Sequence, residues 1–166
     1  MYTSLAILAL ANFVAPSPAP VSPHWSEDYW FAQKYAQKEQ KPLAVFIGSG
    51  QKGFHKLSWE GNLTPRVQKL LAEEYVCVYL DTTQKNARNL AEEFEITEGL
   101  GLVISDRTGQ IQAYHHDGGL AASALAAKLQ KYADPELEVQ TTESNSRASS
   151  YPSGQTYTQP AMGRGC

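Results

Sequence analysis

Cysteine is scarce in this sequence, in which Cys77 and Cys166 are the only two among 166 residues. Cys77 lies within the apolar run YVCVYL and Cys166 is the last residue, so their spacing matches neither a disulfide framework nor a metal site. We therefore predict a protein without a disulfide framework, without a bound metal and without a cofactor.

An excess of basic residues is also lacking. The formal net charge is −3, which gives no electrostatic reason to expect nucleic acid or an anionic membrane as a partner. The apolar run Leu5 to Val14 is too short to cross a bilayer. We predict no nucleic-acid partner and no stable membrane span.

The same apolar run, followed by the residues APSPAP, is typical of a secretory signal with a small-residue cleavage zone. Two features are atypical of such a signal: no lysine or arginine precedes the run, and prolines follow Ala15 and Ala19. We expect residues 1–23 to form a leader with a proline-rich linker. The protein would then be exported to a periplasm, a cell envelope or the exterior. The alternative is that these residues form a short disordered or anchoring leader.

The rest of the chain divides by composition. Residues 24–134 carry apolar residues at helical and strand spacing, whereas residues 135–166 are rich in Ser, Thr, Gln, Gly and Pro. We predict one folded domain over 24–134 and a disordered tail over 135–166.

The first half of the domain predicts alternating helices and strands. Ser26 is the expected N-cap of a first helix whose apolar face comprises Trp30, Phe31, Tyr35 and Ala36. Residues 43–47 and 75–80 are apolar on both faces, as in buried strands of a parallel sheet. Between them, Thr64 and Pro65 have the order of an N-cap and a first helical residue.

The second half predicts a helix around 87–94, a strand over 102–105 and a turn over 106–109. An alternating strand over 110–116 and a helix over 120–132 follow. Together the pattern predicts an α/β fold with a central mixed sheet of about four strands flanked by helices. His115 and His116 are adjacent in a strand and point to opposite faces, so we expect solvated histidines and no shared metal.

A glycine-rich turn follows the first of these strands. Residues 48–53 spell G-x-G-x-x-G, and Asp81 ends the next strand, where a ribose-binding acid could lie. Pro65 interrupts the crossover and a hairpin replaces the next parallel strand, which argues against a dinucleotide domain. A simpler alternative is that the turn holds a phosphorylated ligand, with Lys52 or Lys56 nearby.

Three long stretches resemble a known family. KPLAVFIGSGQKGFHKL, from Lys41, resembles the segment in which thioredoxin-like proteins carry a strand, a Cys-x-x-Cys motif and a helix. LTPRVQKLLAEEYVCVYLDTT, from Leu63, resembles the next helix and strand of exported members. EFEITEGLGLVISDRTGQIQAYHHDG, from Glu93, resembles the loop, strand and hairpin that follow. The resemblance covers roughly residues 25–133 and implies a thioredoxin-like fold.

The departures from that family concern its redox chemistry. The two cysteine positions fall on Gln51 and Phe54, and an amide and a phenyl ring cannot exchange disulfides. The buried acid that redox members place in the first strand falls on Val45. The region of their cis-proline falls on Gly99-Leu100-Gly101, and no proline occurs between residues 65 and 135.

The sequence therefore predicts a non-catalytic thioredoxin-like domain, used as an exported binding or adaptor module without disulfide oxidoreductase activity. Its partner would be another protein or an extended peptide. The residues predicted to face a ligand are Gly50, Lys52, Trp59, Gly99, Leu100 and Gly101. The alternatives are an enzyme with a lone thiol at Cys77, or at Cys166, a phosphate-binding turn, and a structural protein without a small ligand.

Overall fold

The structure, a computed structural model, describes residues 22–146. Its elements are β1 (Trp25–Ser26), α1 (Tyr29–Glu39), β2 (Leu43–Gly48), a 3-10 helix (Gly53–Leu57), α2 (Pro65–Glu74), β3 (Val76–Asp81), α3 (Lys85–Glu93), β4 (Gly101–Ser105), β5 (Gln112–Asp117), α4 (Ala122–Tyr132) and β6 (Glu143–Ser146).

The strands form one mixed sheet in the order β1-β3-β2-β4-β5-β6. β1, β3 and β2 are parallel, β4 is antiparallel to β2, β5 is antiparallel to β4, and β6 is parallel to β5. β2 is buried along its whole length, with Phe46 in the core cluster on the α2 and α4 side and Ile47 in the cluster on the α1 and α3 side. The apolar pattern on both faces of β2 therefore reflects a sheet covered on both sides.

The predicted mixed sheet flanked by helices is confirmed, with six strands instead of about four. β1 has only two residues, Trp25 and Ser26, and β6 reads ESNS without a β-branched or aromatic residue, so neither leaves a strand pattern in the sequence. β6 also lies within the segment predicted to be a disordered tail, so the sheet extends beyond the predicted boundary at residue 134. The predictions for residues 1–21 and 147–166 fall outside the described residues.

The start of α1 differs from the prediction. Asp28, not Ser26, is the N-cap, and its Oδ1 accepts a hydrogen bond of 3.0 Å from the backbone N–H of Phe31. Ser26 belongs to β1 and donates from its hydroxyl to the carbonyl of Asp28. The prediction was wrong because a strand of two residues leaves no pattern in the sequence.

The buried face of α1 also differs from the prediction. Ala32 and Ala36 face the core, whereas Trp30, Phe31 and Tyr35 are exposed, with Phe31 at 67%. Residues 31 and 35 form their own i, i+4 stripe, displaced by about 100° from the alanine stripe. The small side chains let the helix approach the sheet, and the aromatic stripe remains at the surface.

Two local predictions are confirmed. The Thr64 hydroxyl accepts from the backbone N–H of Val67 at 3.4 Å, with Pro65 as the first helical residue of α2. The turn between β4 and β5 is closed by the N–H of Gly109 and the carbonyl of Asp106 at 3.1 Å. These features depend on contacts between neighbouring residues, so the sequence is sufficient to predict them.

The prediction of solvated histidines in β5 was wrong. His115 and His116 are both buried. β6 pairs with β5, and the Ser144 hydroxyl lies 3.4 Å from His115 Nδ1, while His116 Nε2 lies 3.1 Å from the carbonyl of Gly119. Within residues 22–146, no group of three or more His, Cys, Asp or Glu side chains is arranged to hold a metal. None of the helices described there is long and apolar enough to cross a membrane.

Candidate functional site

The turn after β2 and the loop before β4 meet at one end of the sheet. Gly48, the last residue of β2, pairs with Asp81 of β3, and Ile47 pairs with Gly101 of β4. We call residues 48–54 the glycine-rich turn and residues 97–100, which precede β4, the β4 loop. The ends of parallel strands are where α/β proteins usually place their ligand sites, so this end is the candidate site.

β3 holds the glycine-rich turn through hydrogen bonds to its backbone. The N–H of Gly50 donates to Asp81 Oδ1 at 2.9 Å, and the Tyr79 hydroxyl donates to the carbonyl of Gly50 at 2.5 Å. The backbone N–H of Thr82 donates to the carbonyl of Gly48 at 2.8 Å. The N–H and the carbonyl of Gly50 are thus both bound by side chains of β3. The φ of Gly50 is +86°, a backbone conformation that favours glycine.

Tyr79 also explains the glycine at position 53. A Cβ on Gly53 would lie 2.2 Å from the Tyr79 hydroxyl, a distance at which one of the two groups must move. Burial, followed by the charge of Asp81, raises the pKa of Tyr79 to about 12. The hydroxyl therefore remains protonated at neutral pH and continues to donate to the turn.

The two positions assigned to cysteines by the resemblance have different environments. Gln51 is exposed, whereas Phe54 stacks on Trp25 with ring centroids 4.6 Å apart. Phe54 also meets Tyr79 edge-on at 5.4 Å, and Trp25 meets Phe46 edge-on at 4.9 Å. We call these four rings the aromatic cluster. The Phe54 position is thus occupied by a packed ring that anchors the turn.

Val45 and Cys77, which were also considered for redox chemistry, are buried and apolar or neutral. Val45 lies in β2 among apolar side chains that include Ala36 and Val78. Cys77 is 3% exposed, and its Sγ donates to the carbonyl of Leu71 at 3.5 Å. Burial raises the pKa of the Cys77 thiol to about 12, so the reactive thiolate is scarce at neutral pH.

Asp117 organises the β4 loop. Its carboxylate accepts from the backbone N–H of Thr97 at 3.0 Å, from the Thr97 hydroxyl at 2.5 Å and from the N–H of Glu98 at 3.1 Å. Burial alone would raise the pKa of Asp117, but these bonds outweigh it and lower the pKa. The carbonyl of Leu100 accepts from the N–H of Gly118 at 2.7 Å, so it already has a partner within the chain.

The residues predicted to face a ligand are only partly at the surface. Lys52 is exposed, and Gly50, Gly99 and Leu100 are half-buried. Gly101 is buried in β4, where a Cβ would lie 2.5 Å from Ile96 Cδ1. The glycine therefore leaves room for Ile96 and does not face a ligand.

Trp59 is the large exposed side chain of this region, at 63% exposure. Its backbone N–H donates to the carbonyl of Leu120 at 2.9 Å. Its indole lies against Gly119, where a Cβ would be 2.6 Å from the indole Nε1. Gly119 follows β5, so Trp59 lies at the same end of the sheet as Asp117.

Two cavities flank the glycine-rich turn. One, of about 250 Å³, is lined by Glu27, Gln51, Tyr79, Asp81, Gln84 and Ala87. The other, of about 230 Å³, is lined by Ser22, Pro23, Trp25, Phe54, His55, Leu63 and Gln68. The sequence did not indicate Glu27 or Gln84 as site residues, because they reach the site from the residues just before α1 and α3 without any local motif.

The geometry disfavours phosphate binding at the glycine-rich turn. The N–H of Gly50 is taken by the Asp81 carboxylate, and the N–H of Gly53 donates to the carbonyl of Gly50 at 3.0 Å. Asp81 Oδ1 also accepts hydrogen bonds from the N–H and the hydroxyl of Thr83. The hydrogen bonds from the Thr83 and Gly50 amides lower the pKa of Asp81. A carboxylate that stays ionised would repel a phosphate and is engaged with its own chain rather than with a ribose.

Comparison with known proteins identifies the fold. A scan against protein-family models and a search of curated proteins found no match. The structure is similar to the solution structure of a thioredoxin from Thermus thermophilus, with a TM-score of 0.54, 17% identity, and coverage of 66% of this chain and 85% of that one. It is also similar to oxidised thioredoxin O2 from Arabidopsis thaliana, with a TM-score of 0.51, 11% identity, and coverage of 71% and 100%. The chain has a thioredoxin-like fold.

Proposed function

We propose that this protein is a binding module with a thioredoxin-like fold that does not exchange disulfides. The observation that carries the proposal is the environment of Phe54. Its ring is stacked on Trp25 at the position where a redox relative would hold a thiol, and Gln51 occupies the other position. Neither side chain can form the mixed disulfide on which thiol exchange depends.

The proposed binding surface is the end of the sheet around the glycine-rich turn. Trp59 offers a rigid, exposed indole, Leu100 an apolar side chain and Lys52 a positive charge. Aromatic side chains contribute disproportionately to protein recognition because they bury a large area and lose few rotamers. The carbonyl of Leu100 is already bonded to Gly118, so side chains would make most of the contacts with an extended peptide or a partner protein.

Export is part of the proposal. The apolar run before residue 15 and the small residues after it support a cleaved leader. Mass spectrometry of the protein purified from its native source is expected to find an N-terminus within residues 15–24. An intact Met1 in most molecules would contradict a cleaved leader.

The first test is the reduction of insulin disulfides by the full chain, with dithiothreitol as the electron source. We expect the rate of dithiothreitol alone, because the glycine-rich turn has no thiol. The matched variants are Cys77→Ser and Cys166→Ser. A rate increase that one of these substitutions removes would identify that thiol as reactive and would refute the non-catalytic proposal.

The second test addresses binding. A displayed library of extended peptides is selected against the full chain and, in parallel, against Trp59→Ala. We expect a common sequence pattern to be enriched on the native chain and lost on Trp59→Ala, with unchanged thermal stability of the variant. Phe31→Ala removes an exposed ring on α1 and serves as the matched control. Equal enrichment on all three chains would contradict the proposed surface.

A further inference from the structure

β6 occupies the edge of the sheet with little strand propensity of its own. It pairs in parallel with β5, with Glu143 opposite Tyr114 and Ser144 opposite His115. Its sequence, ESNS, contains no β-branched or aromatic residue. Such a segment pairs because of the contacts that hold it there, so these contacts describe what the β5 edge recognises.

One carboxylate makes the main polar contacts of β6. Glu143 accepts a short hydrogen bond from Lys128 Nζ on one oxygen, and on the other it accepts from Lys131 Nζ at 2.7 Å and from the Tyr132 hydroxyl at 2.6 Å. The three donors are spaced i, i+3 and i+4 along α4, so they lie on one face of the helix. We call Lys128, Lys131 and Tyr132 the carboxylate clamp.

The carboxylate clamp is positioned by aromatic rings as well as by Glu143. Lys128 Nζ lies 5.1 Å from the centroid of the Tyr114 ring, and Lys131 Nζ lies 5.0 Å from that of Tyr132. Both ammonium groups therefore have partners in β5 and α4 that do not depend on β6. The clamp carries two positive charges against a single carboxylate, so it favours an acidic ligand.

The segment leading into β6 adds an apolar contact. Leu137 and Val139 are half-buried and pack against the core cluster that contains Tyr132 and Ala133. They precede Glu143 by six and four residues. We call the surface that Leu137 and Val139 cover the apolar seat. The segment therefore presents two apolar residues to this seat, then a short polar stretch, and then an acid at the start of β6.

We propose that the β5 edge, the carboxylate clamp and the apolar seat form a binding site for an extended acidic peptide, which residues 137–146 of the chain occupy in this structure. A partner peptide would add a strand to β5 in place of β6, a recognised way of binding extended chains. Because the chain's own segment competes at high effective concentration, a partner is admitted only when β6 leaves the edge. The site is on β5 and α4, not at the glycine-rich turn, so it stands whether or not the proposed function does.

The test uses a fluorescent peptide with the sequence of residues 135–146 and the full chain. In Glu143→Gln the chain's own segment loses its charge, so we expect the peptide to bind this variant at least about tenfold more tightly than the native chain. The same peptide with glutamine at the position of Glu143, and its other two glutamates unchanged, should bind at least about tenfold more weakly, because the clamp requires a carboxylate. Glu136→Gln, which changes an exposed acid of the same segment, is the matched control and should behave as the native chain.

Two further measurements distinguish the outcomes. Adding Lys128→Met and Lys131→Met to the Glu143→Gln chain should abolish peptide binding, and binding that persists would overturn the role of the clamp. Amide hydrogen exchange of residues 143–146 should be faster in Glu143→Gln than in Glu136→Gln. Equal exchange would show that Glu143 does not hold β6, and a folded Glu143→Gln chain that does not bind the peptide would refute the site.

Discussion

The glycine-rich turn and β6 are each anchored by one carboxylate, but the donors to the two carboxylates differ in kind. Asp81 accepts from the N–H of Gly50 and from the N–H and hydroxyl of Thr83, all of which are neutral groups. Glu143 accepts from two ammonium groups and one hydroxyl at the surface of α4. Salt screens attraction between exposed charges and has little effect on hydrogen bonds to backbone amides. We therefore expect the turn to stay in place when pH or salt changes, and we expect β6 to be released more easily.

Packing reinforces this difference. The turn is anchored by the Phe54 ring within the aromatic cluster, whereas β6 adds only polar residues to the edge of the sheet. Apolar contacts of this kind persist at any ionic strength. The two segments should therefore respond differently to mutation, pH and salt.

The largest expected effect is that of Phe54→Ala. Removing a half-buried ring that stacks on Trp25 should lower the free energy of unfolding by about 2–3 kcal/mol. Phe31→Ala, which removes an exposed ring, should change it by less than about 0.5 kcal/mol. Urea unfolding followed by circular dichroism measures both. Equal losses would mean that Phe54 does not anchor the turn.

Tyr79→Phe should have a smaller effect on the same segment. It removes the hydroxyl that donates to the carbonyl of Gly50, at an expected cost of about 1–2 kcal/mol. Tyr35→Phe, on the exposed stripe of α1, is the control and should have no measurable effect. If Tyr79→Phe also leaves the free energy of unfolding unchanged, the hydrogen bond from Tyr79 to Gly50 contributes nothing to stability.

Acid should release β6 before it unfolds the core. The hydrogen bond from Lys128, then those from Lys131 and Tyr132, lower the pKa of Glu143 from its ordinary 4.5 to about 2. A lowered pKa means that the stabilisation is complete above the ordinary pKa and is lost as the pH falls towards 2. Because Glu143 is partly exposed, solvent screening weakens the effect of this shift, and between pH 6 and pH 2 the opening of residues 143–146 should increase on the order of tenfold.

Amide exchange corrected for intrinsic rates measures this opening, and Glu143→Gln supplies the reference. In that variant the pH dependence of exchange at 143–146 should be much weaker. An identical pH dependence in the two chains would mean that another group controls β6.

Salt should have the smallest effect on amide exchange, but it should show most directly that β6 and the glycine-rich turn are held by different contacts. Raising NaCl from 0.05 M to 1 M should speed exchange at 143–146 by about two- to threefold, because the partly exposed ion pairs of Glu143 are screened. The Gly50 amide, bonded to Asp81 within the fold, should not change. A salt response of equal size at the Gly50 amide and at residues 143–146 would show that the two segments are not held by contacts of different kinds.

The sequence was sufficient to predict elements that depend on local pattern. The buried strands β2 and β3, the Thr64 cap and the turn closed by Gly109 all follow from apolar spacing or from neighbouring residues. The sequence did not predict which face of α1 is buried, because Phe31 and Tyr35 have the same helical spacing as the buried alanines.

The rest of the candidate site depends on contacts between distant residues. The sequence located Gln51 and Phe54, but it did not reveal that Tyr79 and Asp81 hold Gly50, because these residues are about thirty positions apart. β6 has no strand pattern and reaches the sheet through Glu143. The histidines of β5 contact Ser144 of β6 and the carbonyl of Gly119 after β5, so their burial could not be predicted without the placement of these segments.

The stack of Phe54 on Trp25 has a consequence for protein engineering. Placing a Cys-x-x-Cys pair at positions 51 and 54 requires the replacement of Phe54, and this step removes the ring that packs on Trp25. A cysteine side chain is much smaller than a phenyl ring, so the substitution leaves space beside Trp25 and lowers the stability of the fold. A redesign for disulfide exchange would therefore have to refill this space as well as introduce the thiols.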